Sequence, residues 1–178
     1  MDTINQARQD IKSLPLPFDK EIFTSSLIGK LAQTLQELVG AEEASGFLAA
    51  VGEKIGNDIN DLYKDALGAE KLTLEQVAVI LEDLKARIKG DFYLISMDEE
   101  KIVLGNRQCP FAKDVVGRPS LCMMTSNVFG TIAAQNLGYG QVELNKTIVE
   151  GQKECLVTIY LKPKELGALR EGVEYFKN

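Results

Sequence analysis

The stretch Gly90-Asp91-Phe92-Tyr93-Leu94-Ile95-Ser96-Met97-Asp98-Glu99-Glu100-Lys101-Ile102-Val103-Leu104 decides the fold. Upstream of Gly90 the apolar residues recur every three to four positions. Downstream they come as short β-type runs on either side of the charged turn Asp98-Glu99-Glu100, which reads as a hairpin. Working back from it, Val77, Ile80, Leu81, Leu84 and Ile88 form the stripe of a helix opened by Thr73, with Gln76 placed for a capping box. Before that, a helix over about 41–66 carries Ala44, Phe47, Leu48, Val51, Ile55, Ile59, Leu62 and Tyr63 on one face and ends at Gly68. Another runs from Ser25 to Gly40 with Leu27, Ile28, Leu31, Leu35 and Leu38 as its stripe. Residues 3–13 form a short helix that Leu14-Pro15-Leu16-Pro17 closes, so 1–24 is read as an arm and 25–178 as a single domain.

Working forward, Pro119-Ser120 begins a helix over about 120–137, with Leu121, Thr125, Val128, Phe129, Ile132 and Ala133 inward and Gly138 as its stop. Two strands at about 140–149 and 154–162 flank a turn at Gly151, and Cys155, Val157, Ile159 and Leu161 share one face of the second. The tail 170–176 reads as packed or frayed. The expected class is α+β: N-terminal helices packed on a mostly antiparallel sheet, with a helix between the two hairpins.

Composition narrows the chemistry. A length of 178 residues suits one domain, and 45% apolar with 26% charged residues is globular usage. No apolar run approaches the roughly 20 residues that cross a bilayer. Met1-Asp2-Thr3-Ile4-Asn5 resembles no signal peptide, so a cytoplasmic location is expected. The net charge of −6, with 20 basic residues scattered singly, argues against nucleic acid and against an anionic membrane surface. Histidine is absent, which removes Ser-His and Cys-His nucleophile pairs, His-ligated haem and His-containing zinc sites. No dinucleotide fingerprint is present either.

Three cysteines remain as the chemically interesting groups. Cys122 lies in the first turn of its helix, where the helix dipole favours thiolate and would make an exposed sulfur reactive. The competing reading makes all three cysteines small core residues. Gly46, Gly52 and Gly56 each cost about 1 kcal/mol inside a helix. Tight helix packing would compensate. So would room for a ligand, in an apolar pocket between Phe47 and Val51 on one helix and Phe129 and Ile132 on the other.

Residues 105–162 also resemble a known family. Asn106-Arg107-Gln108-Cys109-Pro110-Phe111, Pro119-Ser120-Leu121-Cys122, Gly130-Thr131-Ile132-Ala133-Ala134 and Val157-Thr158-Ile159-Tyr160-Leu161 are similar to the methanogen output domain. That domain resembles in turn the vinyl-reductase-type, or hydrocarbon-binding, sensory domains, related in fold to transport-particle subunits and haem nitric-oxide sensors. The segment 46–56 resembles the glycine-containing helix of this class, extending the likeness to about 25–162. The resemblance implies a non-catalytic sensory or regulatory domain that binds a small apolar ligand, forms a homodimer and signals through a partner protein. It also implies a metal site, because aromatic-sensing members hold zinc with three cysteines and a carboxylate. Cys122 and Cys155 match the first and last of those cysteines, and Thr147 stands at the middle one. Cys109 is then the candidate third sulfur and Glu143 the candidate carboxylate, so Cys109, Cys122 and Cys155 are expected to converge. Zinc, an iron–sulfur cluster or haem are the cofactors such sulfurs could serve; Cys109-Pro110 matches a dipeptide of thiolate-ligated haem sites, while spacings of 13 and 33 residues match no standard iron–sulfur motif. The alternatives are an enzyme or accessory protein of tetrapyrrole metabolism, and a haem or iron–sulfur redox sensor.

Overall fold

A computed structural model describes residues 2–17, 19–110, 119–164 and 170–177. The elements in chain order are α1 (Asp2–Lys12), α2 (Lys20–Val39), α3 (Ala41–Leu67), α4 (Leu74–Arg87), β1 (Phe92–Met97), β2 (Lys101–Asn106), α5 (Pro119–Leu137), β3 (Tyr139–Lys146), a single 3₁₀ turn (Ile148–Glu150), β4 (Cys155–Tyr160) and β5 (Val173–Phe176). Local signals account for most of the boundaries. Gly68 ends α3 in the left-handed region, and the Thr73–Gln76 capping box opens α4 with both reciprocal hydrogen bonds made. The helix read from Ser25 begins earlier, at Lys20, because the Asp19 carboxylate accepts the Ile22 N–H.

The strands form one antiparallel sheet in the order β1-β2-β4-β3-β5. This is the expected α+β class, with the sheet antiparallel throughout. The tail read as packed or frayed is instead its fifth strand, zipped onto β3 from Tyr139↔Phe176 to Val142↔Val173. Four residues of mixed character carry little β periodicity; the pairing is supplied by the edge of β3. Tyr175 anchors the strand by lying against Gly130 of α5 and sharing a hydrogen bond of 3.0 Å with Ser126.

Helix α5 lies between two layers. Phe129, Ile132 and Ala133 join Ile102, Leu104, Val142, Val157 and Ile159 of the sheet, with Val77, Leu81 and Leu84 of α4, in one core. Asn127 and Thr131 of α5 instead meet α3 at Gly52 and Gly56. A methyl at Gly52 would stand 2.7 Å from Asn127 Cβ, and one at Gly56 would stand 2.9 Å from Thr131 Cβ. Gly52 and Gly56 therefore serve close helix packing in the space where a pocket was expected, whereas a methyl at Gly46 would meet nothing within 4 Å among the described residues. Phe47 and Val51 point outward, exposed, while Phe129 and Ile132 are fully buried in the core. Among the described residues the α3–α5 approach at Gly52 and Gly56 stands where the four were expected to line a pocket.

The stripe of α2 is divided as well. Ala32 is buried and Ile28 and Leu35 half-buried, but Leu27, Leu31 and Leu38 are 44%, 61% and 77% exposed. Ile4, Ile11, Leu14 and Leu16 of the arm are exposed too. Among the described residues no helix is long and apolar enough to cross a membrane.

Candidate functional site

The N-terminal half of α5, the end of β2 and the β3–β4 connection enclose a small cavity of about 30 Å³. Its walls include Phe92, Asn106, Cys109, Cys122, Thr125, Leu144, Thr147, Cys155 and Val157. All three cysteines thus reach one cavity from three different segments, and they are thiols, not disulfides.

Each sulfur is placed by its backbone. Past the end of β2 the ladder continues by two bonds, Arg107 N–H to the Asp91 carbonyl and Asp91 N–H to the Gln108 carbonyl, at 3.0 and 3.1 Å. Asn106 Oδ1 accepts the Gln108 N–H, Gln108 Nε2 donates to the Lys89 carbonyl, and the Arg107 guanidinium stacks on Tyr93. These bonds deliver Cys109 to the cavity; Phe111, which follows it in the motif, lies outside the described residues, as does the side chain of Leu121. Cys155 pairs with Asn106 across the β2–β4 ladder, and its Sγ accepts from Asn106 Nδ2 at 3.7 Å and from the Ile148 N–H at 3.4 Å. Cys122 enters from the first turns of α5. Its helix-terminal position does not make it acidic: burial, the other two thiols and the nearby Glu150 carboxylate push it up to about 12.

The residue that sequence reading missed is Lys85. Its side chain is buried, and Nζ donates to Thr125 Oγ1 at 2.8 Å while lying 5.2 and 5.5 Å from the ring centroids of Phe129 and Phe92. Burial brings its pKa down from 10.5 to about 8, with the thiols of Cys109, Cys122 and Cys155 pulling the other way. The signal was its phase: Lys85 follows Leu81 by four positions and Val77 by eight, so it sits in the apolar stripe of α4 where a lysine belongs only with a reason.

The donor set does not fit the metal that the family resemblance implies. Thr147 Oγ1 donates to Glu150 Oε2 at 2.8 Å and accepts the Glu150 N–H, so its hydroxyl is committed to capping the 3₁₀ turn. Glu143, the candidate carboxylate, alternates with the inward-facing Val142 and Leu144 and accepts from the Tyr160 hydroxyl. Lys85 already brings a positive charge to the thiols, which opposes a second cation. Among the described residues no three Cys, His, Asp or Glu side chains are placed to hold a metal ion. The cavity also holds only about two waters' worth of space, far below what haem or an iron–sulfur cluster fills.

A separate recess of about 420 Å³ lies between α3 and α4, walled by Ile59, Leu62, Tyr63, Leu84, Arg87 and Ile88. It is apolar apart from a Tyr63–Asp83–Arg87 hydrogen-bond chain, and the exposure of Leu62 and Ile88 opens it to solvent.

Two solved structures share this architecture. The phenol-responsive sensory domain of the transcription activator PoxR, crystallised with phenol, superposes with a TM-score of 0.63 at 12% identity, over 76% of this chain and 73% of that one. The trafficking protein particle complex subunit 3 from Naegleria fowleri, covalently bound to palmitic acid, superposes with a TM-score of 0.55 at 14% identity, over 84% of this chain and 99% of that one. At such identities the likeness is one of fold. No curated protein matches the sequence. The family model for methanogen output domain 1 matches residues 27–160, well over half of the 178, and the chain belongs to that family.

Proposed function

We propose that this chain is a non-catalytic sensory or regulatory domain whose ligand enters the thiol-lined cavity and whose response is passed to a partner protein. The observation that carries the reading is the convergence of Cys109, Cys122 and Cys155, from three segments of the chain, on one cavity, with the buried Lys85 beside it through Thr125 and Phe92. A sensory neighbour supports the same reading. So does the expectation of a small ligand that comes with the hydrocarbon-binding class.

Packing supplies a route for the signal. Cys109, Cys122 and Met124, together with Ile28 of α2, pack against the cluster formed by Ala32 of α2 and Val149 of the 3₁₀ turn. A ligand that displaces these sulfurs presses on the inner face of α2, whose outer face carries exposed Leu27 and Leu31. That outer face offers apolar surface that a second copy of the chain would cover in a self-complementary contact. The domain is therefore expected to be a homodimer in which α2 transmits the state of the cavity.

The test is a thermal-shift screen of the full chain against small molecules of a few heavy atoms, the size the cavity admits. A ligand that raises Tm in a saturable way, and fails to do so in Leu144→Phe, whose larger ring fills the cavity, supports the reading. A ligand whose effect is unchanged by Leu144→Phe places the site elsewhere, with the α3–α4 recess next in line.

A further inference from the structure

Among the described residues, helix α1 and the trough between α3 and α4 are both open to solvent. The trough exists because α3 packs on α5 while α4 packs on β1 and α5. A hydrogen-bond chain from Tyr63 through Asp83 to Arg87 bridges it. On one side of the bridge is the recess of about 420 Å³ that Leu62 and Ile88 open to solvent, and on the other a second of about 370 Å³ walled by Leu67, Glu75, Val79, Ile80 and Asp83. Leu62, Leu67 and Val79 are more than half exposed. Small-molecule sites enclose most of their ligand, and a trough this open does not, so the occupant it fits is a larger apolar surface.

Spacing and charge then select the surface. The two recesses lie level with Ala78 and Ala86 of α4, about 12 Å apart at the helical rise. An incoming helix with apolar side chains seven positions apart, about 10 Å, would seat one in each. Helix α1 carries such a pair in Ile4 and Ile11, 67% and 64% exposed. Residues 4–17 are exposed throughout, so α1 can offer any side, whereas α2, whose Leu31 and Leu38 are also seven apart, is held to its own domain through Ala32. Asp58 and Asp65 stand one turn either side of Leu62, and Glu75 and Asp83 line the α4 wall. Among the described lining residues Arg87 is the basic one, and Asp83 holds it at 2.6 Å. On α1, Arg8 and Lys12 lie about 40° and 80° round from Ile4, while Asp10 lies about 120° round the other way. The apolar stripe of α1 is thus flanked by cations and that of the trough by carboxylates. We propose that α1 of one copy lies in the α3–α4 trough of a second copy, with Ile4 and Ile11 seated on either side of the Tyr63–Asp83–Arg87 bridge and Arg8 and Lys12 towards the acidic rim. Pro15 and Pro17 restrict the folding of the arm back onto its own body, and the seven residues 13–19 reach at most about 23 Å. Two arms and two troughs close the exchange about one two-fold axis. The exchange rests on the homodimer reading and is independent of what the thiol cavity binds.

The experiment is a methyl NOE measurement on the full chain, mixed from equal parts of isotope-labelled and unlabelled protein so that only contacts between copies are recorded. Contacts from the methyls of Ile4 and Ile11 to those of Leu62, Val79 and Ile88 are expected. Ile4→Glu together with Ile11→Glu should weaken the dimer at least about tenfold in analytical ultracentrifugation, and Leu62→Glu should do the same. Combining all three should add little, since both changes remove one contact. The three side chains are exposed, so the circular dichroism spectrum should stay as it is. Contacts that appear in a uniformly labelled sample but not in the mixed one would put the arm on its own trough and overturn the exchange. Contacts with Leu27 and Leu31 in place of the trough, or a dimer unmoved by Ile4→Glu and Ile11→Glu, would overturn it and leave the α2 contact standing. A chain that stays monomeric would overturn both.

Discussion

Replacing Lys85 by methionine should stabilise the protein. The fall in its pKa from 10.5 to about 8 means that the fold disfavours the charged form by about 3 kcal/mol relative to the unfolded chain. Lys85 is fully buried, so little of that figure is lost to solvent screening. Methionine keeps the unbranched stem and the contacts with Phe92 and Phe129 without carrying a charge. It also frees the Thr125 hydroxyl, which can turn to a carbonyl of its own helix. A gain of about 1–3 kcal/mol at pH 7 is expected, measured by urea unfolding followed by circular dichroism. The pH dependence gives a sharper check. Below pH 8 the lysine is protonated in both folded and unfolded states, and its full cost is present. Between pH 8 and 10.5 the folded form releases its proton first, the unfolded chain binds more protons, and wild-type stability rises with pH through this term. The advantage of the methionine variant should therefore be constant from pH 6 to 7.5 and shrink by up to about 1.4 kcal/mol per unit above pH 8. Cys122 acts in the opposite sense above pH 9, where the unfolded thiol ionises and the folded one does not; because Lys85 pulls the Cys122 pKa down, its removal changes that contribution too, and the comparison is therefore read below pH 9. A variant less stable than wild type by more than about 1 kcal/mol at pH 7 would refute the reasoning, since it would show the ammonium to be a paired, stabilising group.

Gly56→Ala should destabilise by about 1–3 kcal/mol in the same assay despite alanine's better helix propensity, because the new methyl meets Thr131 Cβ at 2.9 Å and the β-carbon of a packed helix cannot swing away. Cys122 should react with iodoacetamide at pH 7.5 at least a hundredfold more slowly than an exposed thiol, as read by mass spectrometry of timed samples, because burial holds it protonated. Labelling at the rate of an exposed thiol would contradict its placement. Leu31→Lys, on the exposed face of α2, should turn a dimer into a monomer in analytical ultracentrifugation at micromolar concentration without changing the circular dichroism spectrum; a monomeric wild type would remove the dimer.

What was legible in the sequence follows the range of the interactions involved. The capping box at Thr73, the stop at Gly68 and the Asp98-Glu99-Glu100 hairpin are short-range devices, so the residues that make them stand together in the chain. Strand β5 was not legible because the edge of β3, some thirty residues away in sequence, gives Val173–Phe176 its conformation. Gly52 and Gly56 of α3 announced a close approach but not whose; only the packed structure shows α5 filling the space, which leaves Phe47 and Val51 outside. Cys109, Cys122 and Cys155 could be seen as chemically notable, yet their character depends on what surrounds them. Burial reversed the expected acidity of Cys122, and Lys85, read only as one of 20 basic residues, proved to be buried behind the cavity wall against Thr125 and Phe92.

The most direct test of the ligand site is an amide chemical-shift titration of the isotope-labelled chain with whichever compound the screens identify. The account predicts that the largest shifts fall on Asn106, Cys122, Thr125, Thr147 and Cys155 around the cavity, with smaller ones at Ile28 and Ala32, where α2 packs against it. Shifts concentrated instead on Ile59, Leu62, Arg87 and Ile88 would put the ligand in the α3–α4 recess and contradict the claim that the thiol cavity is where this domain senses.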